Sequence, residues 1–339
     1  MSLNGKKLSK RMLNALKTIL YYQNRVRHDS TLCVISSPNA TTLPCPRNSV
    51  ATSKRSFHLH LFADTQTRND VNSSLFEWDL QGVTWNFYSF ERNRGKVDWI
   101  PNDHPSGISA LIKLTLTTLL PYWVEKVIAM DTDVILNHDI AELWNHFYQF
   151  GEKQVIGYAW EQNSWSPTCI EPKVSTIPYS GVNGGLALLY LKRMRQVNWD
   201  QIWKRTLKNL LKRHGKLHES DQEVVREVIR KYPGLYYKVP CEWNVQVYSE
   251  VASECCPVVW PLRYPDQIDC WPELYPNATF RPVKLVHYDT HSKPDDANLN
   301  ISWSTTSSGI ERKLTTPQIR TQFHQLYHKF EGLDLNCFR

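Results

Sequence analysis

The stretch VIAMDTDVIL at residues 127–136 places two aspartates, Asp131 and Asp133, in an otherwise apolar run. Its first four residues have the composition of a buried strand, so both aspartates fall at the carboxyl end of that strand. Ligands of open α/β sheets bind at the carboxyl ends of strands. If the backbone stays extended, two side chains at this spacing point to the same side. Because neighbouring carboxylates repel each other, the stretch predicts a hard divalent cation that holds a substrate phosphate.

Two other interpretations of the aspartate pair stay open from the local sequence. In the first, one Asp caps a turn and the other is solvated, since Asp-x-Asp often arises by chance. The second is a haloacid-dehalogenase-type phosphatase, in which the first Asp after a hydrophobic strand is a nucleophile. Val134 stands where that loop usually has glycine, and the pair lies far from the N-terminus. Both features argue against a phosphatase.

Strand-like and helix-like segments alternate on both sides of this stretch. The alternation predicts an α/β fold with a mostly parallel sheet flanked by helices on both faces. Asp139 is a candidate N-cap, and Glu142 completes the spacing of a capping box. Residues 31–55 are rich in Ser, Thr, Pro and Asn, which predicts a long loop or insertion. The predicted strands are 57–63, 82–89, 126–131, 153–159, 184–191, 235–239 and 283–288, and the predicted helices are 10–28, 106–120, 139–150, 197–214, 220–231 and 317–330.

Composition and charge exclude several classes of protein. The net charge of +7 is spread along 339 residues, with only short basic runs, so no nucleic-acid platform is predicted. The eight cysteines show no Cys-x-x-Cys pair, which argues against a zinc site. Four Asn-x-Ser/Thr triplets beside an even number of cysteines are compatible with a secretory lumen. The basic N-terminal stretch has no continuous apolar core, so neither a signal peptide nor a membrane span is predicted in this chain.

Several blocks around the aspartate pair occur in a characteristic order. They are VDWIPNDHPSGISALIKLTLTTLLPYWVEKVIAMDTDVILNHDIAELW (97–144), VNGGLALL (182–189), SDQE (220–223), VPCEWNVQ (239–246) and LVHY (285–288). Together they resemble the family 8 glycosyltransferases, and most closely the xylosyltransferase domain of LARGE-type xylosyl- and glucuronyltransferases. The resemblance covers roughly residues 57–330.

The resemblance implies a GT-A-like, Rossmann-like α/β fold in a single domain. We expect an N-terminal helix plus long loop or insertion at 1–56, the glycosyltransferase domain at 57–330 and a C-terminal tail at 331–339. The family opens with an apolar strand directly before the helix that corresponds to 10–28. Only MSLNGKKLSK precedes that helix here, so the first strand is expected to be missing.

The resemblance also implies a metal site. Asp131 and Asp133 would bind Mn²⁺, with Mg²⁺ as the second choice, and His287 would be the third protein ligand. Taken alone, a histidine on a short strand is more often structural. Two carboxylates and one imidazole suit an octahedral Mn²⁺ that keeps places for the phosphate oxygens of a UDP-sugar.

Four residues match positions that contact the sugar nucleotide in this family. Lys293, six residues after His287, would contact the diphosphate, and Lys113 would approach the sugar nucleotide and the metal carboxylates. Asn183 would hold sugar hydroxyls, and Gly185 would let the backbone come close to the ligand. From the bare sequence, Lys293 could be a solvated loop residue and Lys113 a snorkelling residue of an amphipathic helix.

Asp221 and Gln222 match the pair that lies beside the anomeric carbon in these retaining enzymes, and the resemblance therefore implies that they are catalytic. From the sequence alone, the pair could simply start a helix. Glu223 and Arg226 stand where the family has Asp and Asn, and Gly184 stands where Thr is common. The differences at Glu223 and Arg226 bear on the choice of sugar or acceptor, and Gly184 implies the absence of one hydrogen bond.

The implied activity is transfer of xylose from UDP-xylose to a glycan acceptor on a glycoprotein, as in elongation of a protein O-mannosyl glycan. The implied location is the Golgi lumen or an association with the Golgi membrane. Cys241 and Cys256 match cysteines of the LARGE-like pattern and are a hypothetical disulfide. Another UDP-hexose-using family 8 transferase, or an inactive glycan-binding relic, stays open as an alternative.

Overall fold

A computed structural model of the chain shows where these segments lie. The loop or insertion expected at 31–55 falls outside the described residues except for Cys33 and Arg55. The residues described are 1–3, 5–26, 33, 55–78, 80–162, 181–248, 251, 253–259, 280–290, 292–296 and 315–338.

Strands and helices alternate through most of the described chain, as predicted. The strands are β1 (Ser2–Leu3), β2 (Phe57–Ala63), β3 (Val83–Ser89), β4 (Val127–Met130), β5 (Val134–Leu136), β6 (Ile156–Trp160), β7 (Val182–Leu189), β8 (Tyr236–Lys238), β9 (Val245–Gln246), β10 (Val258–Val259), β11 (Arg281–Pro282) and β12 (Leu285–His287). The α-helices are Lys6–Tyr22, Thr65–Trp78, Phe90–Arg94, Gly107–Leu111, Leu116–Leu119, Ile140–Asn145, Leu191–Gln196, Trp199–His214, Asp221–Lys231 and Thr316–Gly332.

Three predicted helices differ from the structure. The helix predicted at 10–28 spans Lys6–Tyr22. The segment predicted at 106–120 contains a 3₁₀ turn at Ile112–Thr115 between two short α-helices. The helix predicted at 139–150 leaves the α-conformation after Asn145. Its N-cap is confirmed, because the Asp139 carboxylate accepts a hydrogen bond of 2.9 Å from the backbone of Ala141. Glu142, at the capping-box position, directs its carboxylate to other partners: it pairs with His138 Nε2 at 3.1 Å and with the Lys284 ammonium group.

The sheets are mixed in direction, with five parallel and three antiparallel pairings among the described strands. One sheet has the order β4-β7-β6-β8, and β7 runs antiparallel to both β4 and β6. A second sheet has the order β5-β12-β9, and β12 runs antiparallel to β5. The predicted mostly parallel α/β fold is confirmed. The antiparallel pairings have a specific effect, since they bring the starts of some strands beside the ends of others.

The expectation that the first strand is missing needs a correction. The short strand β1 pairs in parallel with β2, so that Ser2 lies opposite Phe62 and Leu3 opposite Ala63. The ladder continues to the N-terminal amino group, which donates to the carbonyl of His60 at 3.1 Å. A strand of two residues is too short to produce a hydrophobic period, and for that reason sequence patterning overlooks it.

A cavity of about 570 Å³ lies between β2 and β4, next to Met1. The short strand β1 pairs with only the last two residues of β2. Its lining includes all of β4 and most of β2, together with the side chains of Trp144 and Tyr148. None of the predicted metal-binding residues lines it.

The helix Lys6–Tyr22 packs against β5 and against the C-terminal helix Thr316–Gly332. Lys17 is 7% exposed, and its ammonium group donates to three backbone carbonyls at the end of the C-terminal helix. These bonds satisfy carbonyls that have no partner within a helix.

Two disulfides join described cysteines, one local and one between the two ends of the chain. Cys241 bonds to Cys256, which confirms the hypothetical pair. Cys33 bonds to Cys337, 304 residues further along. Among the residues that the structure describes, no helix is both long enough and apolar enough to cross a membrane.

Candidate active site

The loop between β4 and β5 carries Asp131 and Asp133, and antiparallel pairing brings His287 to it. In the β5–β12 ladder, His287 lies opposite Val134, the residue after Asp133. His287 Nε2 is 3.5 Å from Asp133 Oδ1 and 3.9 Å from Asp131 Oδ2. One ligand atom from each of the three side chains falls within 4.8 Å of the others. Two carboxylates and one imidazole at this separation could hold a metal ion.

Two lysine ammonium groups flank the carboxylates. Lys113 Nζ lies 2.7 Å from Asp131 Oδ1 and also donates to the carbonyl of Gly184 at 2.7 Å. Lys293 Nζ lies 2.6 Å from Asp133 Oδ2. Both lysines predicted to approach the sugar nucleotide therefore reach the carboxylate cluster, and neither is a freely solvated surface group.

Opposite charges dominate the electrostatics of this cluster. Burial alone would raise the pKa of Asp133, but the hydrogen bond and charge of His287 and the ammonium group of Lys293 hold it well below its usual range. Burial alone would lower the pKa of Lys113, but the carboxylates of Asp131 and Asp221 raise it. The site is therefore a set of mutually stabilised ions.

Gly185 lies directly beneath the imidazole of His287. A Cβ atom at this glycine would stand 2.2 Å from His287 Nδ1 and 2.4 Å from Cε1, which is far inside van der Waals contact. Asn183, two residues earlier, is 4% exposed, and its Oδ1 meets His287 Nδ1 at 2.9 Å. The antiparallel pairing of β7 with β4 continues into this region, where Asp131 donates its backbone N–H to the Gly185 carbonyl at 2.9 Å.

Asp221 and Gln222 begin the helix Asp221–Lys231, which packs on β7. The Gln222 amide oxygen accepts the backbone N–H of Gly184, and a Cβ atom at Gly184 would stand 3.1 Å from the Gln222 side chain. Asp221 is 2% exposed, and no described donor lies within hydrogen-bonding distance of its Oδ2. Burial raises the pKa of Asp221 to about 6, with Lys113 opposing the rise and Asp131 adding to it. A buried carboxylate oxygen without a protein partner has spare capacity to accept a bond from a ligand.

Two of the three departures from the family pattern, Glu223 and Arg226, lie on the same helix as Asp221. The Glu223 carboxylate accepts the backbone N–H groups of His218, at 2.9 Å, and Glu219, at 3.4 Å. It therefore shapes the turn that precedes Asp221. Arg226 forms an ion pair with Glu219.

Two further carboxylates lie beside the cluster and were missed from the sequence. Glu161 Oε2 is 3.3 Å and Asp289 Oδ2 is 3.5 Å from the Nδ2 atom of Asn183. Burial, followed by the charge of Asp289, raises the pKa of Glu161 to about 7. Glu161 directly follows the buried strand β6, so the rule that singled out Asp131 could have found it. Asp289 lies two residues after His287, a spacing that places both on one side of an extended chain.

A profile of glycosyl transferase family 8 matches residues 45–297, which is about three quarters of the chain. The LARGE2 xylosyl- and glucuronyltransferase of Rattus norvegicus is 33% identical over 248 residues, 73% of this chain and 36% of the relative. The LARGE1 xylosyl- and glucuronyltransferase of Homo sapiens is 37% identical over 202 residues, 59% of this chain and 27% of the relative. The chain thus spans about a third of the length of these curated relatives.

Solved structures with the same fold include two glycosyltransferases. Mouse xyloside xylosyltransferase 1 superposes with a TM-score of 0.56 at 17% identity, over 85% of this chain and 96% of that one. The galactosyltransferase LgtC, with donor and acceptor sugar analogues, superposes with a TM-score of 0.55 at 15% identity, over 96% of this chain and 94% of that one. At these identities the likeness establishes the GT-A fold alone. Together with the profile match across the aspartate pair and His287, it shows that this chain belongs to glycosyl transferase family 8.

Proposed function

We propose that this protein is a metal-dependent glycosyltransferase that uses a UDP-sugar donor, with UDP-xylose as the donor and a glycan on a glycoprotein as the acceptor. The observation that carries the proposal is the convergence of Asp131, Asp133 and His287 at the carboxyl end of β4. The two flanking lysines add positive charge at the same place. A diphosphate needs such an arrangement, because its negative charge grows as the sugar leaves.

The donor set fits a divalent metal. Carboxylate oxygens and an imidazole nitrogen are ligands that Mn²⁺ accepts well, and Mg²⁺ would tolerate the oxygens better than the nitrogen. The Asp133 side chain is 13% exposed and that of Asp131 is 38% exposed, so the cluster is open on one side. When bound, such a metal acts as a Lewis acid that offsets charge on the departing UDP.

Lys113 and Lys293 have a separate role in this proposal. Each ammonium group bonds one aspartate and one backbone carbonyl, Gly184 for Lys113 and Tyr288 for Lys293. The carbonyls keep the ammonium groups at the edge of the cluster, where either could also donate to a diphosphate oxygen. We therefore infer that both lysines bind the leaving group and that they do not serve as acids or bases.

Asp221 and Gln222 are the proposed catalytic pair. Gln222 is oriented by the backbone of Gly184, and Asp221 keeps a carboxylate oxygen without a described partner. With a pKa of about 6, Asp221 is ionised at neutral pH and is able to stabilise positive charge on the anomeric carbon. The proposed outcome is transfer with retention of configuration, in which the acceptor hydroxyl replaces UDP on the same face of the sugar.

The proposed compartment is the Golgi lumen. The disulfides Cys33–Cys337 and Cys241–Cys256 support an oxidising environment, because such bonds persist in secretory compartments and are rare in the cytosol. The names of the curated relatives, which state xylosyl and glucuronyl transfer, support xylose as one of two candidate donor sugars.

The test is release of UDP from a panel of UDP-sugars, with and without Mn²⁺. We expect the fastest release from UDP-xylose, dependence on Mn²⁺, and loss of release in Asp131→Asn. Asp70→Asn, on the helix Thr65–Trp78 away from the cluster, should behave as wild type. Faster release from a UDP-hexose would make the chain another type of family 8 transferase. Glycan binding without release from any donor would make it a relic and would contradict the proposal.

A further inference from the structure

The side-chain amide of Asn183 lies at a junction between the metal-ligand cluster and the two missed carboxylates. Its Oδ1 accepts the backbone N–H of Gly185 at 3.0 Å and the Nδ2–H of Asn244 at 3.0 Å, and it meets His287 Nδ1 at 2.9 Å. Its Nδ2 faces the carboxylates of Glu161 and Asp289. With 4% of the residue exposed, this amide is engaged by the protein itself.

The orientation of this amide is set by its neighbours. The backbone N–H of Gly185 is a donor and can only face the amide oxygen. The reverse orientation would place Nδ2 against that N–H and Oδ1 against the carboxylates of Glu161 and Asp289. Oδ1 therefore faces His287.

A fixed amide oxygen determines which nitrogen of the imidazole carries the proton. Asn183 Oδ1 has no hydrogen to give, so His287 Nδ1 must donate the hydrogen bond between them. In the neutral ring the other nitrogen then has a free lone pair. That nitrogen, Nε2, is the atom that faces the carboxylates of Asp131 and Asp133.

Gly185 and Asn183 restrain the ring in different ways. Gly185 leaves the space in which the imidazole sits, since a Cβ atom there would clash with Nδ1 and Cε1. It does not select which edge of the ring points to the aspartates. The hydrogen bond to Asn183 makes that selection, because a ring turned over would present carbon to the amide oxygen.

We propose that Asn183 is the positioning residue of His287: its amide oxygen holds the Nδ1–H tautomer and aims Nε2 at the aspartate pair. This rests on the proposed function, in which His287 is a metal ligand. Glu161 and Asp289 anchor the amide from its other end, and the Asp289 carboxylate is itself held by the backbone N–H of Val247 at 3.1 Å. Residues that orient a metal-bound histidine commonly change metal affinity by about 10- to 100-fold.

The test compares Asn183→Leu with Asn137→Leu in the full chain. Asn137 is a matched control, because it is 2% exposed and its amide bonds the Tyr22 hydroxyl at 2.6 Å and the Val283 carbonyl at 3.0 Å, outside the cluster. Titration of Mn²⁺ followed by electron paramagnetic resonance should give an affinity at least about tenfold weaker in Asn183→Leu. Asn137→Leu should stay within about twofold of wild type, since its contacts do not reach His287.

The second measurement does not need a metal. Imidazole ¹⁵N–¹H spectra of the metal-free protein at alkaline pH report the tautomer of each neutral histidine, and loss of a signal in His287→Gln identifies His287. We expect the Nδ1–H tautomer in wild type and in Asn183→Asp, which keeps an acceptor oxygen, and a shift towards the Nε2–H tautomer in Asn183→Leu. If Asn183→Leu does not fold, Asn183→Ser is measured in the same way.

An unchanged tautomer together with Mn²⁺ affinity equal to that of Asn137→Leu would overturn the positioning role. Failure of the proposed function looks different, because the wild-type chain itself would then not bind Mn²⁺. The histidine spectra would still decide whether Asn183 sets the state of His287.

Discussion

The two edges of β4 (Val127–Met130) meet different surroundings. One edge pairs with β7 along its whole length, and the ladder continues through Asp131 to Gly185. The other edge faces a cavity of about 570 Å³ across from β2. At the paired edge, β7 contributes Asn183 and Gly185, and both lie against the His287 imidazole. None of the proposed ligands lines the cavity at the other edge. The site therefore depends on how closely β7 is packed and is largely independent of the gap on the other side.

The largest effect is expected for His287→Ala at the paired edge. Loss of one ligand should lower Mn²⁺-dependent turnover by about 100-fold or more, beyond the loss usual for residues that only orient a ligand. The melting temperature should change little, since the aspartates keep their lysine partners. Turnover and its Mn²⁺ dependence are measured beside circular dichroism. Turnover that follows the wild-type Mn²⁺ curve would remove His287 from the site.

Gly185→Ala tests how closely β7 approaches the imidazole. The new Cβ would stand 2.2 Å from His287 Nδ1, so the ring must move. We expect weaker Mn²⁺ binding by about tenfold and a loss of about 1–3 kcal/mol of stability from overpacking. Gly95→Ala is the matched control, because no atom lies within 4 Å of the added Cβ. Equal Mn²⁺ affinity in the two variants would mean that the ring is not held against the glycine.

A pair of alanine-to-leucine variants tests the two surroundings of β4 through stability alone. Ala187 lies in β7, is 0% exposed and pairs with Ala129, so Ala187→Leu should cost about 2–3 kcal/mol. Ala141 lines the cavity, where the added isopropyl group finds space, so Ala141→Leu should cost less than about 1 kcal/mol. Urea denaturation measures both values. Equal losses would show that the cavity edge is as tightly packed as the paired edge.

A pH-dependent gain in stability is expected for Asp221→Asn. Burial raises the pKa of Asp221 from 3.8 to about 6, so the folded state binds a proton more tightly than the unfolded state. Wild-type stability should therefore fall as the pH rises from about 4 to about 6, and the variant should lack this fall. The advantage of the variant should reach about 3 kcal/mol above pH 6 in metal-free protein.

Denaturation in EDTA at several pH values measures this difference, with Asp70→Asn as the control. A difference in stability between variant and wild type that does not change with pH would show that burial does not raise the pKa of Asp221.

Local sequence was sufficient for the parts of the fold that depend on short-range chemistry. The apolar run 127–130 and the aspartates behind it were found because strand composition and the position of polar residues are local properties. The N-cap at Asp139 was found for the same reason. The resemblance supplied His287, because 154 residues separate it from Asp133 and no spacing rule connects them.

Features that depend on the direction of strands could not be predicted. The run VNGGLALL is buried on both faces, and its sequence does not indicate whether it pairs in parallel or antiparallel. Its reversed direction brings Asn183 and Gly185 beside Asp131. The contact between Gly185 and the His287 ring is therefore visible only in three dimensions.

The bond between Cys33 and Cys337 closes nearly the whole polypeptide into a covalent ring. Every strand from β2 to β12 lies inside that ring. A single proteolytic cut between the two cysteines would therefore release no fragment until a reductant is added. Limited digestion analysed by electrophoresis with and without a thiol would separate nicking of the backbone from true dissociation of its pieces.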